Sequence, residues 1–353
     1  MSYKETLYFV ATCLTISLED KNRVVIQKQL QSNEIDWDAV VKVSTRHYVF
    51  PALYCNLKRV GFLQYLPQEL VSYMKYITSL NKKRNQKIIT QAKELNSLLL
   101  ANNITPIFLK GTGNLLAGLY EDVAERMVGD IDFLFSEKDF PKVIKILKND
   151  NYTGLHNNAY FRSKFRHYPR LIKDENIAAV EVHSDLLIDK YRHEFNYEII
   201  SKDTQKVNDF TVLSFENKVS LSMSAIQIND YNFKYKNISL RNAYDVFLLS
   251  KKVNVKNVLS KFKILKNPLN CFLASCYVVF GEIDSLLFVK TKESDLYLKA
   301  FNKSLLKKSI IKFNYKSIEI NFKRKLVIVC QSFFDKEGRI WLFKKIKDKI
   351  YGS

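Results

Sequence analysis

Residues 126–135, RMVGDIDFLF, place two aspartates one residue apart inside an otherwise apolar run. Such a run is typical of a buried strand, in which charged side chains are rarely left unpaired. Alternate residues of a strand share a face, so Asp130 and Asp132 point one way while Ile131 and Phe133 point into a core. The stretch therefore predicts a sheet that carries two carboxylates side by side.

The two carboxylates need a compensating group. At a separation of about 6 Å and an effective dielectric constant of about 20, two carboxylates repel by about 3 kcal/mol. One of them stays protonated, or a basic residue bridges them, or a divalent cation lies between them. Oxygen ligands suit Mg²⁺ or Mn²⁺ better than zinc. Taken alone, the pattern also fits a solvated edge strand.

Two further features favour a metal site. Residues 177–187, IAAVEVHSDLL, predict a second strand on which Glu181 shares a face with Ala179 and His183, so that Glu181 can supply a third carboxylate. Upstream, the K-G-T-G sequence at residues 110–113 falls between a predicted strand and a short predicted helix. Free backbone N–H groups at such a helix start bind anions, and glycine lets a phosphate approach the backbone.

Composition indicates a folded protein with a basic surface. The chain has 353 residues, of which 47% are apolar, enough for two or three domains with a sizeable core. Its net charge of +20 favours a polyanionic partner, although a lysine-rich genome explains the same excess without any binding role. The five cysteines form no CxxC pair, which favours reduced core residues of a cytoplasmic protein. No stretch is long and apolar enough to predict a transmembrane helix, and no P-loop or dinucleotide motif is present.

The pattern along the chain predicts an α+β fold, with a small mixed β-sheet core flanked by N-terminal and C-terminal helical regions. Residues 1–101 show helical periodicity and end in a long helix that begins near residue 70. Residues 102–195 carry short apolar runs and predict the core, with strands at 105–109, 128–135, 160–172 and 177–187. Residues 196–353 are mostly helical and basic, and the last 103 residues hold +15 of the net charge.

The order of these motifs resembles the polymerase-β-like nucleotidyltransferase superfamily, in which Asp-x-Asp on one strand is followed by a later acidic residue. The chain more closely resembles one branch, a family of largely uncharacterised bacterial nucleotidyltransferases. That family shows LKG, then a tyrosine, then R-x-x-GDIDFL, then an acidic-x-His strand. These motifs stand here at residues 109–111, at Tyr120, at 126–134 and at 181–183.

The resemblance implies a metal-dependent transfer of a nucleoside monophosphate from an NTP to an acceptor hydroxyl, with release of pyrophosphate. Asp130, Asp132 and Glu181 would be the catalytic residues and would hold two ions of Mg²⁺ or Mn²⁺. The residues that would bind substrate and phosphate are Lys110, Gly111, Thr112, Gly113, Arg126, His167 and His183.

Several alternatives stay open from the sequence. An RNA such as tRNA is one acceptor that the basic C-terminal region would bind through its phosphates. A second interpretation is a catalytically silent member of the same fold that senses nucleotide or binds nucleic acid. A glycosyltransferase metal motif is disfavoured, because the hundred residues before it are helical rather than alternating strands and helices. The basic amphipathic stretch at 338–352 fits RNA, an anionic membrane surface or simple packing.

Overall fold

The computed structural model describes residues 1–154 and 166–308. Five helices precede the sheet, as the sequence predicts for this region: α1 Tyr3–Cys13, α2 Asp20–Gln31, α3 Trp37–Arg46, α4 Phe50–Arg59 and α5 Gln68–Ala101. Helix α1 begins with a capping box in which Ser2 and Glu5 exchange hydrogen bonds. Its apolar residues Leu7 and Val10 are fully buried, so α1 is part of the core.

The long helix α5 has 34 residues and ends at Ala101, with Asn102 as its C-cap, close to the predicted limits. Its second half is buried at the predicted spacing, for example at Ile88 and Leu95. The apolar spacing also predicts that Tyr73 and Tyr76 in the first half are packed on the same side, but they are 50% and 60% exposed. A different face of the helix is buried there, and it carries the smaller or more flexible side chains of Met74 and Thr78.

A mixed seven-stranded sheet forms the centre of the described residues and confirms the predicted α+β class. Its strands are β1 Ile107–Phe108, β2 Asp130–Leu134, β3 Thr153–Gly154, β4 Leu171–Ile172, β5 Ala179–His183, β6 Thr204–Val207 and β7 Phe210–Leu213. The spatial order is β3-β4-β5-β2-β1-β7-β6. Strands β2 and β5 run parallel, with Asp132 opposite Glu181, while β1 runs antiparallel to β2 and parallel to β7.

Three of the four predicted strands lie at the expected positions, although each is shorter than its apolar run. The remaining predicted strand, 160–172, lies only partly within the described residues. Its described part contains β4 and a bridge from His167 to His183. The sheet also continues past residue 195, because β7 pairs with β1 across a long crossover, which is how parallel strands must be joined. The division into three regions at 101 and 195 stays a prediction.

Helices flank the sheet and continue through the rest of the described chain. They are α6 Lys110–Leu116, α7 Phe140–Asn149, α8 Tyr197–Ile200, α9 Phe215–Ser224, α10 Asn232–Tyr235, α11 Leu240–Ser250, α12 Val255–Ser260, α13 Lys266–Phe280 and α14 Lys292–Leu306. A π-helical turn, Ala225–Asn229, follows α9, and α9 packs against α11. Within the described ranges, no helix combines the length and the apolar character needed to cross a membrane. The basic stretch at 338–352 lies outside them.

Candidate functional site

A cleft of about 670 Å³ separates the sheet from the helices that follow it, a size typical of small-molecule sites. On the sheet side its charged lining residues include Lys110, Asp130, Asp132, Arg170 and Glu181. On the helical side its lining residues include Leu221, Ile226, Asn229, Tyr231 and Arg241. The cleft therefore joins the motif-bearing strands to the C-terminal region.

The three acidic residues singled out in the sequence meet at this cleft. Strands β2 and β5 are parallel neighbours in register, so the carboxylates of Asp132 and Glu181 lie side by side. Both residues are buried, with 6% and 7% of their surface exposed, while Asp130 lies at the more open end of β2. One ligand atom each from Asp132, Glu181 and His183 lies within 4.8 Å of the others, close enough to hold one metal ion.

Lys110 lies in the gap between two of these carboxylates. Its Nζ is 2.5 Å from Asp132 Oδ1 and 3.6 Å from Glu181 Oε2. Burial alone would lower the pKa of Lys110, but the negative charges of Asp132 and Glu181 raise it, so the lysine stays charged. The backbone φ of Lys110 is +50°, in the left-handed region that residues other than glycine rarely adopt.

Arg170 bridges the remaining acidic pair. Its Nη2 is 2.9 Å from Asp130 Oδ2, and its Nε donates to Glu181 Oε1 at 2.7 Å. Burial raises the pKa of Asp130, although the charge of Arg170 opposes this. Burial would also raise the pKa of Glu181, but the hydrogen bond from His183 and the charge of Lys110 hold it well below its usual range. Basic side chains thus compensate the negative charges of the acids, which is one of the three possibilities that the sequence left open.

Arg170 was not among the site residues predicted from the sequence. It follows a proline in the predicted strand 160–172, and no motif marks it. The signal that could have found it is register, because alternation along two neighbouring strands brings a basic residue opposite Glu181. That register depends on strand pairing, which the sequence pattern alone does not set.

The two predicted histidines lie next to each other beside the acidic residues; His167 lines the cleft, whereas His183 is not among the described residues that line it. His183 Nε2 is 2.9 Å from Asp132 Oδ1, while its Nδ1 is buried and lacks a hydrogen-bond partner within the described part of the chain. The ring of His167 lies 5.1 Å from that of His183, and its Nδ1 is 2.9 Å from the Tyr168 carbonyl. Burial, together with His183, lowers the pKa of His167.

The glycine turn is built mainly for packing. A Cβ on Gly113 would lie 2.6 Å from the Phe108 carbonyl oxygen, so only glycine lets α6 approach β1 this closely. Thr112 is fully buried and its hydroxyl donates to the Asp130 carbonyl at 3.0 Å. Gly111 borders the cleft, whereas Thr112 and Gly113 are not among the described residues that line it. Thr112 therefore supports the acidic strand β2, and Gly113 lets α6 pack against β1.

Arg126 is buried and directs its donors at the protein itself. Its Nε lies 3.0 Å from both Asp245 oxygens, its Nη2 lies 3.0 Å from Oδ2, and its Nη1 donates to the Met127 carbonyl at 2.8 Å. The hydroxyl of Tyr120 donates to the same carboxylate at 2.8 Å. Asp245 therefore joins two motif residues. Sequence reasoning missed it, although an aspartate in the apolar helix RNAYDVFLL was a sign of a buried ion pair.

Helix α5 holds the start of the acidic motif in place. The Nδ2 of Asn81 donates to the Ala124 carbonyl at 2.7 Å, and the Nδ2 of Asn85 donates to the Arg126 carbonyl at 2.7 Å. Both asparagines are buried. Because these bonds satisfy the backbone before β2, the aspartates enter the sheet from a fixed starting point.

Comparison with known proteins identifies a family. No curated protein and no solved structure matches the chain. A family model described as uncharacterised nucleotidyltransferase matches residues 33–279, a range that contains the acidic strands, the glycine turn and Asp245. Because this range covers well over half of the sequence, the chain belongs to the family of uncharacterised nucleotidyltransferases.

Proposed function

We propose that the protein transfers a nucleoside monophosphate from an NTP to an acceptor hydroxyl, in a metal-dependent reaction that releases pyrophosphate. The observation that carries this proposal is the parallel register that sets Asp132 opposite Glu181, with Asp130 two residues away at the same cleft. Family membership supplies the reaction class, and the acidic cluster supplies a place for divalent cations.

The donor set fits Mg²⁺ or Mn²⁺. Asp130, Asp132 and Glu181 would hold two ions, and the imidazole of His183 lies within reach of the same position. The ammonium of Lys110 already lies between two of the carboxylates, so the protein stabilises positive charge there. When bound, the ions would neutralise the triphosphate and activate the acceptor hydroxyl.

The charge balance of the cleft supports a ligand that brings cations and anions together. Its described lining residues include five basic side chains, Lys110, Arg126, Arg166, Arg170 and Arg241. They also include five acidic ones, Asp130, Asp132, Glu181, Asp230 and Asp245. A metal ion alone would leave Lys110 and Arg170 without their carboxylate partners. A metal–triphosphate complex gives both basic residues new anionic partners, since lysine and arginine bind phosphate well.

The chain's own residues then have separate tasks. The side chains of Lys110 and Arg170 would move from the carboxylates to the phosphates. Gly111, at the start of α6, would leave room for the phosphates near the backbone. Glu181 would accept the proton of the acceptor hydroxyl, directly or through water.

A second candidate function has a specific observation in its favour. Lys110 and Arg170 bridge the three acids and offset two of their three negative charges, so their repulsion does not by itself demand a metal. A catalytically silent member with these ion pairs would bind nucleotide in the cleft and release no pyrophosphate.

The acceptor is proposed from charge. The last 103 residues hold +15 of the net charge, and such a region would bind RNA, for example tRNA, through its phosphates. Affinity for RNA should then fall steeply as salt is added. A salt-independent interaction would indicate a small-molecule or peptide acceptor instead.

The test of the proposed reaction uses each of the four NTPs labelled at the α-phosphate, with Mg²⁺ or Mn²⁺ and either total RNA or whole lysate. We expect label transfer by the wild type and a loss of about 100-fold or more in Asp130→Asn, the scale of losing a catalytic group. Asp174→Asn, in an exposed turn, is the matched control and should keep full transfer. NTP binding without transfer under every condition would favour the silent member, and failure to bind any NTP would contradict both functions.

A further inference from the structure

Arg241 lines the helical side of the cleft, at the second residue of α11. Its Nε is buried and has no hydrogen-bond partner within residues 1–154 and 166–308. Its guanidinium lies over the ring of Tyr48, 5.0 Å from the centroid. The contact holds the charged group in place without neutralising it, because an aromatic ring carries no net charge.

The other cations described above contrast with Arg241. Lys110, Arg126 and Arg170 each pair with a carboxylate of the cleft. Asp245 is near enough to act on Arg241, but its oxygens already accept from Arg126 and Tyr120. Burial and the charge of Arg126 lower the pKa of Arg241 to about 10, so the arginine still carries its charge at neutral pH.

Buried charges in proteins are normally paired. A cationic side chain that borders a cleft, with a buried Nε and no carboxylate partner among the described residues, therefore indicates that its anion arrives with a ligand. The guanidinium group matches the geometry of a phosphate and binds it through two parallel hydrogen bonds. Arg126, the arginine expected from the sequence to bind phosphate, has no such freedom because its donors point to Asp245 and to Met127.

We propose that Arg241 forms a phosphate subsite on the helical wall of the cleft, with Tyr48 as its positioning residue. The subsite deepens the proposed function and rests on it for the kind of ligand. Its phosphate comes either from the triphosphate of the NTP or from an acceptor that itself carries a phosphate. Tyr48 has a φ of +57°, an unusual conformation for an aromatic residue, and such strain is typical of functional positions.

The first experiment measures binding of pyrophosphate to the full chain, without metal and without turnover. We expect Arg241→Met to raise the Kd for pyrophosphate by about ten- to a hundredfold, the range for losing hydrogen bonds to a charged group. Arg241→Lys should lie between wild type and Arg241→Met, since it keeps the charge but not the planar donors. Tyr48→Leu should weaken binding less than Arg241→Met does.

Two controls keep this result interpretable. Arg23→Met removes an arginine on α2 that pairs with Asp20 and does not line the cleft, and it should bind pyrophosphate as the wild type does. If Arg241→Met lowers the Tm in the absence of pyrophosphate, Arg241→Gln replaces it. Wild-type pyrophosphate affinity in a folded Arg241→Met or Arg241→Gln variant would overturn the subsite.

A second experiment identifies the source of the phosphate by comparing ATP, AMP and total RNA as probes. If the triphosphate is bound, Arg241→Met weakens ATP binding and leaves AMP binding unchanged. If Arg241 binds a phosphate of the acceptor instead, Arg241→Met leaves the affinities for ATP and AMP unchanged. The variant then loses binding of 5′-phosphorylated RNA, and dephosphorylated RNA serves as the comparison. Unchanged binding of all three probes contradicts the proposal.

The two proposals fail separately. If label transfer is absent in the wild type but Arg241→Met still weakens pyrophosphate binding, the reaction is wrong and the subsite stands. If Asp130→Asn abolishes transfer while Arg241→Met changes neither pyrophosphate affinity nor the binding of any probe, the reaction stands and the subsite is wrong.

Discussion

Lys110 combines a left-handed backbone with an ion pair to Asp132 and a second, longer contact to Glu181. A residue other than glycine at such a φ lowers the stability of the fold by about 1–3 kcal/mol, which the surrounding contacts must offset. Part of that compensation comes from the attraction between one ammonium and two carboxylates. A metal ion that enters the cluster would compete with the lysine for the same oxygen atoms.

This competition predicts opposite effects of Lys110→Met on metal binding and on transfer. Without the ammonium, Asp132 and Glu181 repel each other, so Mn²⁺ should bind about tenfold more tightly, equivalent to about 1.4 kcal/mol. Label transfer should fall, because the triphosphate loses a basic partner. Electron paramagnetic resonance of free Mn²⁺ measures the first effect and the α-labelled NTP assay measures the second.

Lys82→Met is the matched control for this experiment. Lys82 is exposed and pairs with Asp122 rather than with the acids of the cleft. It should leave the Mn²⁺ affinity unchanged. Weaker Mn²⁺ binding in Lys110→Met would show that the lysine supports the metal site rather than competing with it.

At the scale of elements, the site depends on how closely α6 packs against the sheet. Gly113 lies in the first turns of α6, where a side chain would meet the backbone of β1 at Phe108. Thr112 beside it holds the carbonyl of Asp130 through its hydroxyl. The glycine turn therefore sets the position of β2 as well as that of Lys110.

Gly113→Ala should destabilise the fold. The added methyl group has no room, and overpacking of this kind costs about 1–3 kcal/mol. Gly129→Ala is the control, because no atom lies within 4 Å of its added Cβ and the change should stay within about 0.5 kcal/mol. Urea unfolding of both variants measures the free energy of unfolding. Equal stability of the two would mean that α6 moves away from β1 without cost.

At the scale of the whole molecule, His47 ties the N-terminal helices to the C-terminal ones. Its Nε2 is 3.1 Å from the hydroxyl of Tyr3 in α1, and its Nδ1 accepts from the backbone N–H of Leu240 at 3.3 Å. Burial, helped by the charges of Lys308 and Arg46, lowers the pKa of His47 to about 3. The folded protein therefore keeps this histidine neutral under mildly acidic conditions.

The lowered pKa predicts a loss of stability in acid. Below about pH 6.5 the unfolded chain binds a proton at this histidine and the folded chain does not, so each pH unit costs about 1.4 kcal/mol down to the folded pKa. Between pH 7 and pH 5, the stability of wild type should fall by about 2 kcal/mol more than that of His47→Gln. Urea unfolding at the two pH values gives the comparison. The exposed His193→Gln is the control and should follow wild type, and parallel profiles of wild type and His47→Gln would refute the linkage.

Much of the site was predictable because it depends on local periodicity. The alternation of residues 130–134 and 179–183 sets the faces of β2 and β5, and helical spacing marks α5 and α11. These patterns recur every two or every 3.6 residues, so a few neighbours along the chain decide them. The α+β class and the acidic face of each strand follow from the sequence by itself.

The tertiary structure alone decided which groups meet. Four contacts join residues far apart in the chain: Asp132 beside Glu181, Arg170 between two acids, Arg126 paired with Asp245, and Arg241 over Tyr48. That Arg241 lacks a carboxylate partner among the described residues also became visible only in the structure. The addition of β6 and β7 to the sheet is of the same kind. Such contacts depend on how whole elements pack and on which charges burial brings together. Neither is encoded in the spacing of neighbouring residues, because a charge finds its partner only after the chain has folded.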